Sequence, residues 1–186
     1  VSALLHAVAV VKAGVFTVLK VVIYIFGIEF LSETGASTWL IWVASFTLLA
    51  ASIIAITKDN LKALLAYSTI SQLSYIVLGA ALVNSLGILG GGLHIATHAI
   101  GKITLFMCAG AIYVATHKTE ISDMTGLGRK MPFTYAAFTI GSLSIIGLPP
   151  LAGTWSKWYL ALAAADNQTW LVIGVYMLSS LLNVWY

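Results

Sequence analysis

Six side chains stand out because their types can exchange protons while their surroundings are apolar. Lys12 sits within Val10-Val11-Lys12-Ala13-Gly14, and His94, His98 and Lys102 share one apolar run. Lys157 follows closely on a pair of prolines, and His6 lies near the start of the first apolar run. Histidine takes up and releases protons near neutral pH, and lysine serves as its partner when it can alternate between ammonium and amine. The spacing of His94, His98 and Lys102 at i, i+4 and i+8 places all three on one helix face, as a ladder about 12 Å long. Thr97 and Thr104 are near enough in sequence to orient water beside it. Two histidines four apart could also ligate a metal. However, no carboxylate or thiol joins them on that face and no H-E-x-x-H pattern is present, so no metal and no cofactor are expected.

The elements that must carry these groups are membrane helices. Of 186 residues, 60% are hydrophobic and 8% charged, with a mean hydropathy of +1.00. A soluble domain carries about 25% charged residues, so lipid must cover most of this surface. A net charge of +3 spread over loops and spans makes no nucleic-acid patch. Cys108 is the single cysteine, which excludes an internal disulfide framework and any multi-cysteine metal site. The apolar runs lack the alternation of barrel strands and approach the ~20 residues of a helical crossing. They predict an all-α, polytopic transmembrane bundle with spans near 3–28, 39–56, 62–83, 91–115, 133–164 and 169 onward. We take residues 1–186 as a single transmembrane domain and expect it to be an interior piece of a longer protein, since it opens and closes inside helical patterns without an initiator Met.

The connections order the spans. Lys58 and Lys62 mark one loop, and Lys118, Arg129 and Lys130 another, whereas the loops expected at 29–38, 84–90 and 165–168 contain no Lys or Arg. Basic loops stay on the cytoplasmic side, so both basic loops are assigned there. The fifth run is unusual: Gly147-Leu148-Pro149-Pro150-Leu151-Ala152-Gly153 interrupts it. Two prolines remove two N–H donors and clash with the preceding turn, so the helix must break between Gly147 and Gly153. Such breaks in membranes lie within protein or line wet cavities, and in transporters they often build ion sites. A plain proline kink is the alternative.

A charge at the bilayer centre costs about 2.5–3.5 kcal/mol on insertion scales. Three lysines on separate spans therefore point to a proton or ion pathway. Duller roles suit some of the cations: His6 could bond a backbone carbonyl, Lys20 could reach for the interface, and His117 falls in a polar loop. Trp39, Trp42, Trp155 and Trp158 suit interfacial anchoring or packing. No Asp or Glu lies within the spans. The acidic partner of the buried lysines is therefore expected from other sequence or a neighbouring subunit, a hypothesis that fails if the full-length protein places no intramembrane Asp or Glu within reach of Lys12 and no neighbour supplies one.

The segments Ser2-Ala3-Leu4-Leu5-His6, Val11 to Val15, Asp59 to Gln72, His94 to Lys102, Gly126 to Pro132, and Gly147 to Gly153 followed by Ser156-Lys157 together resemble the antiporter-like membrane subunits shared by respiratory complex I and multisubunit Mrp-type Na⁺/H⁺ antiporters. Membrane-bound hydrogenases have such subunits too. The wording around Gly147 and Ser156 is most similar to the antiporter D-type subunit. The resemblance implies a fold of about fourteen helices containing two inverted five-helix repeats, of which this chain would hold the last helix of the first repeat and most or all of the second. It implies that Lys12 sits at the central proton relay, that Lys157 ends the relay toward one side, and that His94, His98 and Lys102 bridge them. The expected route runs from Lys12 to His98, His94 and Lys102, then to Lys157, with water in the gaps.

The function expected is proton translocation within a larger membrane complex, with Na⁺ as the coupled ion in the antiporter case and a proton-pumping NADH:quinone oxidoreductase or hydrogenase subunit as the alternative. The expected partners are other membrane subunits and the lipid bilayer, and the expected location is the prokaryotic plasma membrane. The sequence contains no flavin, nucleotide or iron–sulfur motif, so any redox chemistry belongs to other subunits. Two different classes remain open: a structural subunit whose lysines hold lipid head groups, and an intramembrane enzyme using His94 and His98.

Overall fold

The computed structural model describes residues 10–186. His6 and the Ser2-to-His6 segment lie outside the described residues. Within them the chain is almost wholly helical, and an isolated antiparallel bridge pairs Asn60 with Glu120. Helix α1, Val10–Lys20, widens into a π-type turn over Val21–Phe26. At Gly27, which adopts φ +79°, the chain bends by 84° into α2, Ile28–Thr34. The expected 29–38 loop is therefore partly helical. Gly27 removes the Cβ penalty at the bend, and the segment after it regains helix because only the short stretch from Gly35 to Ser37 is needed to turn back.

Three long helices follow: α3 Thr38–Ile56, α4 Leu61–Ala81 and α5 Ser85–Thr116. Each is long and apolar enough to cross a membrane. α5 begins six residues before the expected 91. Asn84 caps it by accepting from the Gly87 N–H at 2.7 Å, an N-cap geometry that satisfies an otherwise orphaned donor. The glycine-rich start, weak by helix propensity, is held by packing. A Cβ on Gly87 would stand 2.4 Å from the Gly79 carbonyl oxygen of α4, and one on Gly90 would stand 2.9 Å from Leu160. Small residues let backbones approach closely where lipid supplies no hydrophobic drive.

After a 3₁₀ turn at Ser122–Met124 come α6 Leu127–Lys130, α7 Pro132–Ile146, α8 Ala152–Asp166 and α9 Trp170–Trp185. α7 and α9 are apolar but shorter than a full crossing. The expected interruption is present: α7 stops at Gly147 in the left-handed region, φ +93°, and α8 resumes at Ala152. A Cβ on Gly153 would stand 1.8 Å from the Ser144 carbonyl oxygen, so the two halves touch where only glycine fits.

α4 is the axis of the bundle. α3 packs on one side, α5 on another, and α1 on a third, while α5 packs in turn against α7 and α8. Leu48, Tyr75, Leu78, Leu160, Ala163 and Val172 knit α3, α4, α8 and α9, and a second cluster around Leu64, Leu65, Leu105, Ile112 and Ile145 joins α4, α5 and α7. Apolar side chains also face outward, among them Trp42, Phe46, Ile53, Ile100, Met107 and Leu181, as a lipid-solvated bundle requires. The centre is polar in exchange: Ser68, Thr69, Ser71, Gln72 and Ser74 of α4 are all buried.

The two basic loops meet. The Ile121 N–H donates to the Asp59 carbonyl oxygen at 2.9 Å, and the Leu61 N–H to Thr119 O at 3.0 Å. The Asp59 carboxylate accepts from the Ser122 amide at 3.1 Å and its hydroxyl at 2.6 Å. Both loops thus occupy one face of the bundle, as the charge pattern requires.

Candidate functional site

Five of the six expected site residues lie among the described residues, and the fold gathers four of them closely. His94, His98 and Lys102 stand on the inner face of α5, with exposures of 2%, 2% and 0%. The two imidazoles stack nearly parallel, centroids 5.8 Å apart and planes 9° from one another. Lys12 on α1 is buried at 5% exposure, on a helix packed against both α4 and α5. Lys157 on α8 is half-buried.

Each group has a defined setting. The Ser156 hydroxyl donates to Gly153 O at 3.0 Å, so it remains an acceptor toward His94, whose Nδ1 lies 2.9 Å away. In the tautomer that this bond pattern selects, with Ser156 donating to Gly153 O, Nδ1 carries the hydrogen and Nε2 presents a lone pair. His94 Nε2 and both ring nitrogens of His98 have no partner among the described residues. Lys102 Nζ donates to Leu65 O at 3.1 Å and Ser68 Oγ at 2.8 Å, both on α4. Lys157 Nζ donates to Ile146 O at 3.0 Å and Ser180 Oγ at 3.4 Å. Ile146 is the last residue of α7, so the ammonium satisfies a carbonyl left free by the break and sits at the negative end of that helix. The break thus builds the Lys157 site directly.

The contacts order the groups differently from the expected route. Lys157 adjoins the His94 end of the ladder: its Nζ lies 5.0 Å from the Tyr75 ring centroid, and Tyr75 stacks on His94 at 5.6 Å. Ser156, the residue before Lys157, also contacts His94. Lys102 stands two turns away along α5, beyond His98, and turns toward α4. The helix repeat puts His94 and Lys102 at opposite ends of the ladder, and the packing of α8 at Leu160 against Gly90 selects the His94 end.

From Lys102 a cavity of about 440 Å³ extends between α4, α5 and α7. It is lined by Ser68, Leu105 and Tyr135 on its course and by Ile121 and Thr125 where it reaches the clasped loops.

Several partners were not singled out as site residues from sequence: Ser156, Tyr75, Ser68 and Ser180. For Ser68 and Tyr75 the signal is their spacing with Ser71 along one face of α4, a polar stripe in an apolar helix; Ser156 and Ser180 carry no such signal. Thr97 does stand beside Ser156, oxygens 3.4 Å apart. Thr104 instead bonds Ile100 O on its own helix and takes no part. His117 is exposed, and Lys20 lies exposed over the Phe16 and Tyr24 rings. Trp39, Trp42, Trp155 and Trp158 are all exposed.

A polytopic helical bundle with a broken helix and with lysines and histidines buried at its centre defines a class of integral membrane protein that carries ionisable groups inside its spans. Comparison with known proteins gives the particular family. The chain belongs to the family described as NADH:quinone oxidoreductase/Mrp antiporter, transmembrane, which matches residues 1–183. NADH-quinone oxidoreductase subunit N of Desulforudis audaxviator is 43% identical over 145 residues, covering 78% of this chain and 29% of that protein. Subunit L of Rickettsia bellii is 38% identical over 177 residues, covering 93% of this chain and 26% of that protein. The chain thus spans less than a third of the curated relatives it matches. Among solved structures, the archaeal membrane-bound sulfane sulfur reductase superposes with a TM-score of 0.89 at 29% identity, over 98% of this chain and 37% of that one. The Mrp complex of Dietzia sp. gives 0.85 at 26% identity, over 92% of this chain and 32% of that one.

Proposed function

We propose that this chain is the relay-bearing part of a proton-translocating subunit, in which protons pass between Lys102 and Lys157 through His98 and His94. The 186 residues form one transmembrane unit of that subunit in a prokaryotic plasma membrane. The observation that carries the reading is the buried series itself: Lys102, the stacked His98 and His94, then Ser156 and Tyr75 leading to Lys157. A protonatable group in a span is expensive unless used, and here they adjoin one another. Water completes the bonds of the His98 nitrogens and His94 Nε2, since buried polar atoms are otherwise satisfied. Lys12, the buried lysine of α1, is the charge that biases the series. The cavity from Lys102 to the clasped loops provides access from the face bearing the basic loops, which is the cytoplasmic one. Lys157 then delivers toward the other side.

The remainder of the subunit supplies the acidic partner of Lys12, and other membrane subunits supply the driving force, from quinone-linked redox chemistry or from a cation gradient. Relatives in both kinds of complex support this reading. The test is proton transport by the whole complex in vesicles with Lys157→Ala and Lys157→Glu. Alanine abolishes transport and glutamate, which keeps a protonatable group, retains part of it. Full transport by the alanine variant would favour a structural, lipid-binding role instead.

A further inference from the structure

We infer that the cavity running from Lys102 to the clasped loops is a binding site for a single-chain fatty acid, with its carboxylate on Lys102 and Asn183 and its tail toward the loops. The site stands on the cavity's own geometry; that its occupant closes the access to Lys102 rests on the relay reading above. The cavity holds about 440 Å³ and is lined by residues of α4, α5, α7 and α9. On α5 its lining runs from Lys102 through Leu105 to Ile112, a rise of about 15 Å. A volume of that size spread over that length suits one alkyl chain rather than the two of a phospholipid. Leu64, Leu65, Phe138 and Ile145 wall its course, and Ile121 and Met124 of the clasp keep its outer end apolar.

The inner end offers donors. Lys102 Nζ uses two hydrogens on Leu65 O and Ser68 Oγ, and an ammonium has a third. Asn183 is buried at 4% exposure, and its Oδ1 accepts from the Tyr186 hydroxyl. Its Nδ2 has no partner among the described residues. The helix register puts Asn183 level with that bond. Tyr75 stacks on Tyr176, and Ser71 lies 3.4 Å from Ser179, so α4 and α9 run antiparallel. One turn further along each come Ser68 and Asn183. Among the described residues lining the cavity Lys102 is the one charged group, and none is Asp or Glu. A buried ammonium needs a counter-charge, and a buried donor left unmade is costly. A carboxylate accepts from both Nζ and Nδ2 through its two oxygens. Water could satisfy these donors, but it would wet the apolar walls, which a hydrocarbon tail keeps dry. The bound anion also holds Lys102 as ammonium while the tail fills the way in.

The test uses the complete complex in phospholipid nanodiscs and a laurate analogue with a diazirine at the end of its tail. On illumination the analogue is expected to mark peptides holding Ile112, Met124 or Tyr135, and unlabelled laurate to suppress the marking. Dodecanol, the same chain without the charge, is expected to compete about tenfold less well, the worth of a hydrogen bond to a charged group. Lys102→Met and Asn183→Leu, with assembly verified, are expected to weaken competition by laurate and leave that by dodecanol unchanged. The site is overturned if those peptides stay unmarked, if dodecanol competes as well as laurate, or if laurate competes equally in both variants; the first two outcomes need no variant. Closure is read separately. Marked complex is stripped of unbound fatty acid with albumin and reconstituted, and its proton uptake is expected to fall in proportion to the fraction marked. Full uptake by marked complex, with laurate competition intact, overturns the closure and the access path to Lys102 while leaving the site.

Discussion

Ser156 shows how much one hydroxyl decides. By donating to Gly153 O it becomes an acceptor, which makes His94 carry hydrogen on Nδ1 and leaves Nε2 open to receive a proton. Ser156→Ala removes that instruction and leaves a buried nitrogen to find another partner. The expected outcome is a destabilisation of about 1 kcal/mol, read from thermal unfolding in detergent, together with a disproportionate loss of proton transport. A matching loss in both would assign Ser156 a packing role only. At this scale the sequence was most legible for the charged groups. A lysine in an apolar span is costly enough to be conspicuous, whereas Ser68 and Ser180, which accept from Lys102 and Lys157, are cheap residues whose role depends on helices converging.

Among the elements, the α4–α5 crossing and the loop clasp hold the site in shape. Gly79 and Gly87 bring the two backbones together so closely that a Cβ on either would meet the other's carbonyl oxygen. Gly87→Ala must push α5 from α4 and stretch the Lys102–Ser68 bond. The expected cost is about 1–3 kcal/mol, visible as a lower melting temperature, with Gly92→Ala, which meets open space, as the neutral comparison. The glycine run from Gly87 to Gly92 also explains why the start of α5 was misjudged. Propensity reads it as a loop, but Gly87 and Gly90 within it are packing surfaces. The clasp makes a second prediction. The Ser122 hydroxyl and amide hold the Asp59 carboxyl below its ordinary range. A depressed carboxyl stabilises the folded loops above the ordinary aspartate pKa of about 3.9, and that contribution disappears as pH falls through the lower folded value. The clasp is therefore complete at neutral pH. Asp59→Asn is expected to speed tryptic cleavage at Lys118, Arg129 and Lys130, and an unchanged cleavage rate would show that the backbone bonds suffice.

Across the whole molecule, the polar centre and apolar exterior were legible from composition, and the same-face placement of the basic loops from charge alone. The order of the relay was not: sequence distance along α5 does not tell which rung faces α8. That depends on Leu160 packing against Gly90 and on the break at Gly147, which together bring Ser156 and Lys157 to His94. Orientation has its own test. In a Cys108→Ser background, Thr125→Cys is expected to react with an impermeant thiol reagent from the cytoplasmic side only, and Ser85→Cys from the opposite side only. The reverse pattern would invert the direction of access to Lys102. The central claim is that the buried basic series moves protons, and it is tested most directly at its innermost member. Lys102→Ala is introduced into the full complex, assembly is confirmed, and proton uptake into reconstituted vesicles is followed with a pH-sensitive dye. The account predicts uptake at the level of empty vesicles with the complex intact; uptake equal to that of the unmodified complex would contradict it.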